Sequence, residues 1–237
     1  MNIGGLSEFL TYFQLGIEHI ADLRGYDHIL FIVALTAGYA PREWRRLLWL
    51  VTAFTIGHSI TLALATLQLV RVNAALIELL IPVTIVLTAG YSILARWRAE
   101  RAERAERAER AERAERAERA ERAERARGAA RGGFIGSTAA PPERQLPLYI
   151  LAGCFGLIHG LGFSNFLRAI LGGEESIVVP LFAFNVGLEF GQMAIVACVL
   201  VAGALACEVA GLTRRRWATA LSAVIMLAGM QMIYVRM

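Results

Sequence analysis

Long, nearly uncharged apolar blocks dominate this chain, separated by short stretches rich in arginine, glycine and proline. Blocks of about 18 residues or more match the length needed to cross ~30 Å of hydrocarbon. Six spans are read, at 28–40, 47–69, 74–95, 147–171, 177–206 and 217–235, the first of them short. Ahead of them, the segment "LSEFLTYFQLGIEHIADL" sets Leu6, Phe9, Phe13, Ile17 and Ile20 at helical spacing. That pattern predicts an amphipathic N-terminal helix lying on the membrane surface. The expected fold is all-α, a polytopic membrane helical bundle of two three-helix halves. Residues 1–97 hold the first half, 98–146 a connecting segment and 147–237 the second half.

The connecting segment has a different pattern. From Arg98 to Glu124 the chain reads RAE nine times. Each Glu but the last stands four residues before an Arg, the orientation that best supports a helix, at ~0.2–0.5 kcal/mol per pair. Alanine and arginine are also strong helix formers. A repeat of three drifts around a helix, so it builds no lasting apolar seam and specifies no coiled coil. It predicts a solvated single helix ~40 Å long, followed by a flexible stretch, "RGAARGGFIGSTAAPPERQ". Such a helix is a spacer, a cytoplasmic docking rod or a tolerated loop expansion.

Composition agrees with a membrane protein: 57% of the 237 residues are apolar, well above a soluble domain. The formal charge of +4 is no nucleic-acid signal, because nine of the 24 basic residues, all arginine, lie in the neutral repeat. Arg42, Arg45 and Arg46 crowd the first loop, the third is full of arginine, and Arg214, Arg215 and Arg216 fill the fifth. The second offers only Arg71, and the fourth carries Arg168 with Glu174 and Glu175. Arginine in alternate loops puts the first, third and fifth in the cytoplasm and both termini outside. Cys154, Cys198 and Cys207 show no CxxC spacing and are read as small buried hydrophobes.

Chemistry concentrates in the spans. All four histidines, His19, His28, His58 and His159, lie in or beside them. His19 and the pair Asp27–His28 stand at the threshold of the first span. His58 sits in "TAFTIGHSITLALA" with Ser59, and His159 in "AGCFGLIHGLGFSNF". In "FAFNVGLEFGQMA", Asn185, Glu189 and Gln192 recur at i, i+4 and i+7 and so share one helical face. A charged residue at mid-helix costs ~2.5–3.5 kcal/mol on insertion scales, which a bound divalent cation would offset. Imidazole donors suit nickel, cobalt, zinc and copper, whereas an all-oxygen set would suit magnesium or calcium. Helix–helix hydrogen bonding is the alternative for each histidine taken singly, and a proton-carrying role is open to Glu189.

The stretches "GIEHIADLRGYDHILFIVAL", "REWRRLLWLVTAFTIGHSITLALA", "IELLIP", "FGLIHGLGFSNFL" and "LFAFNVGLEFGQ" resemble the HupE/UreJ family, membrane proteins regarded as nickel and cobalt permeases. The resemblance implies a compact six-helix permease in the cell (inner) membrane of a bacterium. His19, Asp27 and His28 correspond to its signature metal motif, and His58, His159, Asn185 and Glu189 to further polar positions. Glu78 matches an acidic position, followed by Pro82 where a small residue is usual and a kink is expected. The family's first motif has five residues between the histidine and the Asp–His pair, and this chain has seven. On a continuous helix two extra residues turn His19 by ~200°. Either a loop around Gly25 absorbs them or His19 is no ligand.

The expected function is a secondary permease, not an enzyme, importing Ni²⁺ or Co²⁺, with zinc and copper admitted by the same ligand chemistry. The metal set is His19, Asp27, His28, His58, His159 and Glu189, supported by Asn185, Gln192, Ser59 and Glu78. No Walker motif is present. Membrane lipid and the metal ion are the implied partners, and the sequence is compatible with an oligomer. The rival readings are an intramembrane metalloenzyme, and a metal sensor or assembly factor whose RAE helix docks a cytoplasmic metal chaperone.

Overall fold

A computed structural model describes residues 3–127, 146–171 and 176–237. The described residues form seven α-helices: α1 (Ile3–Ile20), α2 (Asp27–Thr36), α3 (Trp44–Thr66), α4 (Ala74–Arg127), α5 (Leu146–Leu171), α6 (Val178–Glu208) and α7 (Arg214–Arg236). Among the described residues, four helical stretches are long and apolar enough to cross a membrane: Pro41–Thr66, Ala74–Ala123, Val178–Glu208 and Arg214–Arg236. The first and fourth expected spans correspond to shorter apolar helices, Asp27–Thr36 and Leu148–Ser164. At 1.5 Å per residue, α2 covers only about half of the hydrocarbon. Large apolar side chains such as Trp49, Ile56, Leu87, Phe182 and Phe190 point outward, the surface a lipid-facing bundle presents.

The chain divides into two compact units, residues 1–93 with 145–237, and residues 94–144. In the second unit the repeat is helical and is exposed from Arg101 to Ala123, braced by i,i+4 pairs such as Glu106–Arg110 and Glu118–Arg122. Arg101 also stacks over Trp97 at 4.2 Å. The expected flexible stretch and the Glu174–Glu175 pair lie outside the described residues.

In the first unit, α1 departs from the expectation of a helix resting on the membrane surface. Its apolar stripe meets α6, with Phe9 against Phe182 and Phe13 against Phe190 at ring separations of 6.4 and 5.7 Å. The backbones nearly touch, since a Cβ on Gly16 or Gly187 would overlap the carbonyl oxygens of Phe184 or Phe13. Periodicity shows that a stripe is apolar but not what covers it, and here the cover is protein. Further along α6, Ile29 and Val33 of α2 share a groove with Ala194, Cys198 and Ala202. The helices α1 and α2 therefore follow α6 in one direction, with the chain out of helical conformation between them at Ala21–Tyr26.

The helices α3 and α5 pack through a second glycine seam and also run in the same direction. Gly57 meets the Gly153 carbonyl, Gly156 that of Phe54 and Gly160 that of His58. Small residues let membrane helices approach this closely. Arg214 Nη1 donates to the Tyr39 carbonyl at 2.7 Å, so the loop after α2 and the start of α7 lie at the same end. The cysteines depart from the buried reading: Cys154 and Cys198 are exposed and Cys207 is partly so. A lipid-facing surface takes a small apolar sulfur side chain as readily as a core does.

Candidate metal centre

The break between α1 and α2 settles where His19 goes. The two extra residues fall in the non-helical segment rather than in a continuous helix, so the rotation expected of an insertion does not arise. His19, in the last turn of α1, has its ring 4.7 Å from that of His28, in the first turn of α2. His58, midway along α3, lies 5.9 Å from His19 and 6.0 Å from His28. His159, on α5, lies 5.0 Å from His28. Four helices thus contribute one imidazole each to a single cluster, the glycine seam drawing His58 and His159 together.

The surroundings are apolar. Phe163 lies 3.7 Å from the His19 ring, Phe31 5.2 Å and Phe54 5.3 Å from His159, and Phe184 5.6 Å from His19. His58 and His159 are fully buried, His28 nearly so and His19 half-buried. Among the described residues, five buried imidazole nitrogens have no hydrogen-bond partner: Nε2 of His19, Nε2 of His28, both nitrogens of His58 and Nδ1 of His159. An unsatisfied buried polar atom costs ~1–3 kcal/mol. A group of such atoms in one place is a ligand-binding arrangement before it is a stabilising one.

The hydrogen bonds that do exist assign the lone pairs. His28 Nδ1 lies 3.2 Å from Asp27 Oδ1, which also accepts the His28 backbone N–H at 2.9 Å. A carboxylate acceptor holds the ring proton on Nδ1 and leaves the unpartnered Nε2 as donor to a cation, the arrangement seen behind metal-binding histidines. His159 Nε2 lies 3.0 Å from Thr84 Oγ1. That hydroxyl already donates to the Ile81 carbonyl at 2.7 Å, so it accepts from His159 Nε2–H and leaves Nδ1 with the lone pair. Thr84 was not singled out from the sequence, where one threonine in the apolar run "IPVTIVLTAG" carries no signal. Thr84→Val should weaken metal binding by about 10–100-fold, the usual effect of removing such a partner, and Thr84→Ser should restore it; isothermal titration with Ni²⁺ checks both.

Two imidazoles sharing an ion at ~2.0–2.1 Å have ring centres about 5 Å apart, close to the separations here. Among the described residues no three His, Cys, Asp or Glu side chains are yet drawn together as a bound ion requires. Binding would turn the rings of His19 and His58, whose terminal torsion is broad, toward His28 and His159, which Asp27 and Thr84 hold in place.

Glu189, Gln192, Asn185 and Ser59 meet on the seam between α3 and α6. Thr52 donates to Glu189 Oε1 at 2.5 Å, Thr55 to Gln192 Oε1 at 2.7 Å and Ser59 to Asn185 Oδ1 at 2.6 Å. Asn185 also donates to the Leu181 carbonyl, and the fully buried Gln192 has an unpartnered Nε2. The exposed Glu78 lines a cavity of about 600 Å³ together with Arg71, Gly162 and Ser164.

These features define a multi-pass helical membrane protein with a buried histidine cluster. A family model described as HupE / UreJ protein matches residues 2–105 and 137–236. The chain belongs to the HupE/UreJ family. No curated protein and no solved structure matches it.

Proposed function

We propose that this chain is a secondary permease that carries Ni²⁺ or Co²⁺ from the outer face of a bacterial cell membrane to the cytoplasm. The observation that carries the reading is the set of unpartnered imidazole nitrogens gathered from four helices into one cluster among phenylalanines. Such donors bind borderline transition metals and have little affinity for magnesium or calcium. Membership of a family regarded as nickel and cobalt permeases supports the same conclusion.

The half-buried His19 and, behind it, the buried His28 receive the ion, and His58 and His159 complete its coordination as water is shed. Asp27 and Thr84 orient the rings behind them. The Glu78-lined cavity draws cations toward His159, whose neighbours Leu161 and Gly162 form part of its wall. An interrupted helix at the site is a recurrent transporter device, because its half-helix ends and unwound backbone face the substrate. In this reading the opposite end of the bundle, with the arginine-rich loops, faces the cytoplasm.

Glu189 is the anionic step beyond the cluster. Glu189→Gln keeps an oxygen to accept the Thr52 hydroxyl but removes the charge. We expect it to retain Ni²⁺ binding while ⁶³Ni uptake into proteoliposomes falls by about tenfold or more, ~1.4 kcal/mol on the transfer step. Saturable uptake at the parent rate would remove Glu189 from the pathway.

A further inference from the structure

We infer that Arg236 is a positioning residue for the imidazole cluster, aligning the Asp27 carboxylate that orients His28 while anchored on a backbone carbonyl released by Pro82. This rests on the metal reading above and adds a residue that reading does not contain.

Proline has no N–H, so a proline within a helix leaves the carbonyl four residues earlier without its usual partner. In this chain Pro82 lies inside α4, and the carbonyl concerned belongs to Glu78. Arg236, at the end of α7, fills the gap: its Nη1 donates to the Glu78 carbonyl at 2.6 Å. The other terminal nitrogen of the same guanidinium, Nη2, lies 3.7 Å from Asp27 Oδ2. The guanidinium is planar, so fixing Nη1 on the carbonyl fixes the direction of Nη2. One arginine therefore joins α2, α4 and α7 at the mouth of the cluster.

The consequence reaches His28. Asp27 Oδ1 faces the His28 ring and backbone N–H, and Oδ2 faces Arg236. With both oxygens engaged, the carboxylate plane is set, and the plane directs the ring whose Nε2 is unpartnered in the cluster. The same pairing occupies Oδ2, so Asp27 acts behind His28 instead of competing with it for the ion. A lysine ammonium on its flexible stem is a single point charge without the rigid fork that meets the carbonyl and the carboxylate together.

The test is Co²⁺ titration of the purified full-length chain in detergent, followed by visible absorption, with parent, His28→Ala, Arg236→Ala, Arg236→Lys, Asp27→Asn and the Asp27→Asn/Arg236→Ala pair. Arg236→Ala should raise the dissociation constant by about 10–100-fold, the range found when an outer partner of a ligating histidine is lost, and alter the cobalt spectrum. Arg236→Lys should recover part of the affinity. In the Asp27→Asn background, removing Arg236 should have little further effect, since its action passes through the carboxylate. Pro82→Ala, which returns an amide to compete for the Glu78 carbonyl, should weaken binding severalfold. If Arg236→Ala binds Co²⁺ as tightly as the parent or more tightly, or if the two losses simply multiply, the inference is overturned. If the parent itself binds no Co²⁺, or His28→Ala binds as well as the parent, the metal reading fails first.

Discussion

His28→Ala should bind Ni²⁺ or Co²⁺ more than ~100-fold more weakly than the parent and support no ⁶³Ni uptake above that of empty vesicles. The size follows from position. Loss of an outer partner to a metal-bound histidine costs about 10–100-fold, and loss of the donor atom itself costs more. The His28 ring lies 4.7–6.0 Å from each of the other three imidazoles, so its removal opens the middle of the cluster. The substitution also leaves Asp27 without its imidazole partner, held only by the backbone N–H of residue 28 and Arg236. Equilibrium binding in detergent separates this from a defect in movement across the membrane. The same comparison with Glu189→Gln, expected to bind but not transport, divides capture from passage.

The second large effect lies in the glycine seam. Gly156→Ala and Gly57→Ala should each lower the stability of the folded protein by at least ~1–3 kcal/mol, the typical cost of overpacking. In both, the new Cβ overlaps a backbone carbonyl of the facing helix, which has no rotamer with which to yield. The helices must separate, and with them His58 and His159, so metal binding should fall too. Gly90 supplies the control. It is also a helical glycine, but its added Cβ meets nothing within 4 Å, so Gly90→Ala should be neutral or gain up to ~1 kcal/mol from better helix propensity. Thermal unfolding in detergent distinguishes the three. Equal transitions for Gly156→Ala and Gly90→Ala would mean that the seam does not hold the helices at this spacing.

The sequence made some parts of this arrangement legible and hid others for physical reasons. Helix existence follows from long apolar blocks, and the regular Glu-to-Arg spacing made the exposed helix of the repeat readable residue by residue. Crossing the membrane is a statement about length, and α2, only 10 residues long, falls short of it where the apolar composition of its surroundings does not. The histidines could be singled out because imidazole in an apolar run needs a reason. Their convergence could not, because it depends on glycine contacts between helices far apart in the chain. The α1–α2 break was likewise open: "ADLRGY" allows a loop around Gly25, but spacing alone left His19 on either side of the question. Thr84 and Arg236 were invisible for different reasons. A threonine in a span is usually bonded within its own helix, and the final arginine of a span reads as an interfacial anchor.

Glu189, Asn185 and Gln192 show the opposite case. Their i, i+4, i+7 spacing correctly gave one helical face, but a shared face does not reveal what stands across from it. Hydroxyls of α3 do, at Thr52, Ser59 and Thr55.

X-ray absorption at the cobalt edge of the Co²⁺-loaded protein reads the ligand set itself. Ligation by the cluster gives nitrogen neighbours at ~2.0–2.1 Å with the outer-ring scattering of several imidazoles, diminished in His28→Ala. A spectrum of oxygen neighbours alone, unchanged by that substitution, would contradict it.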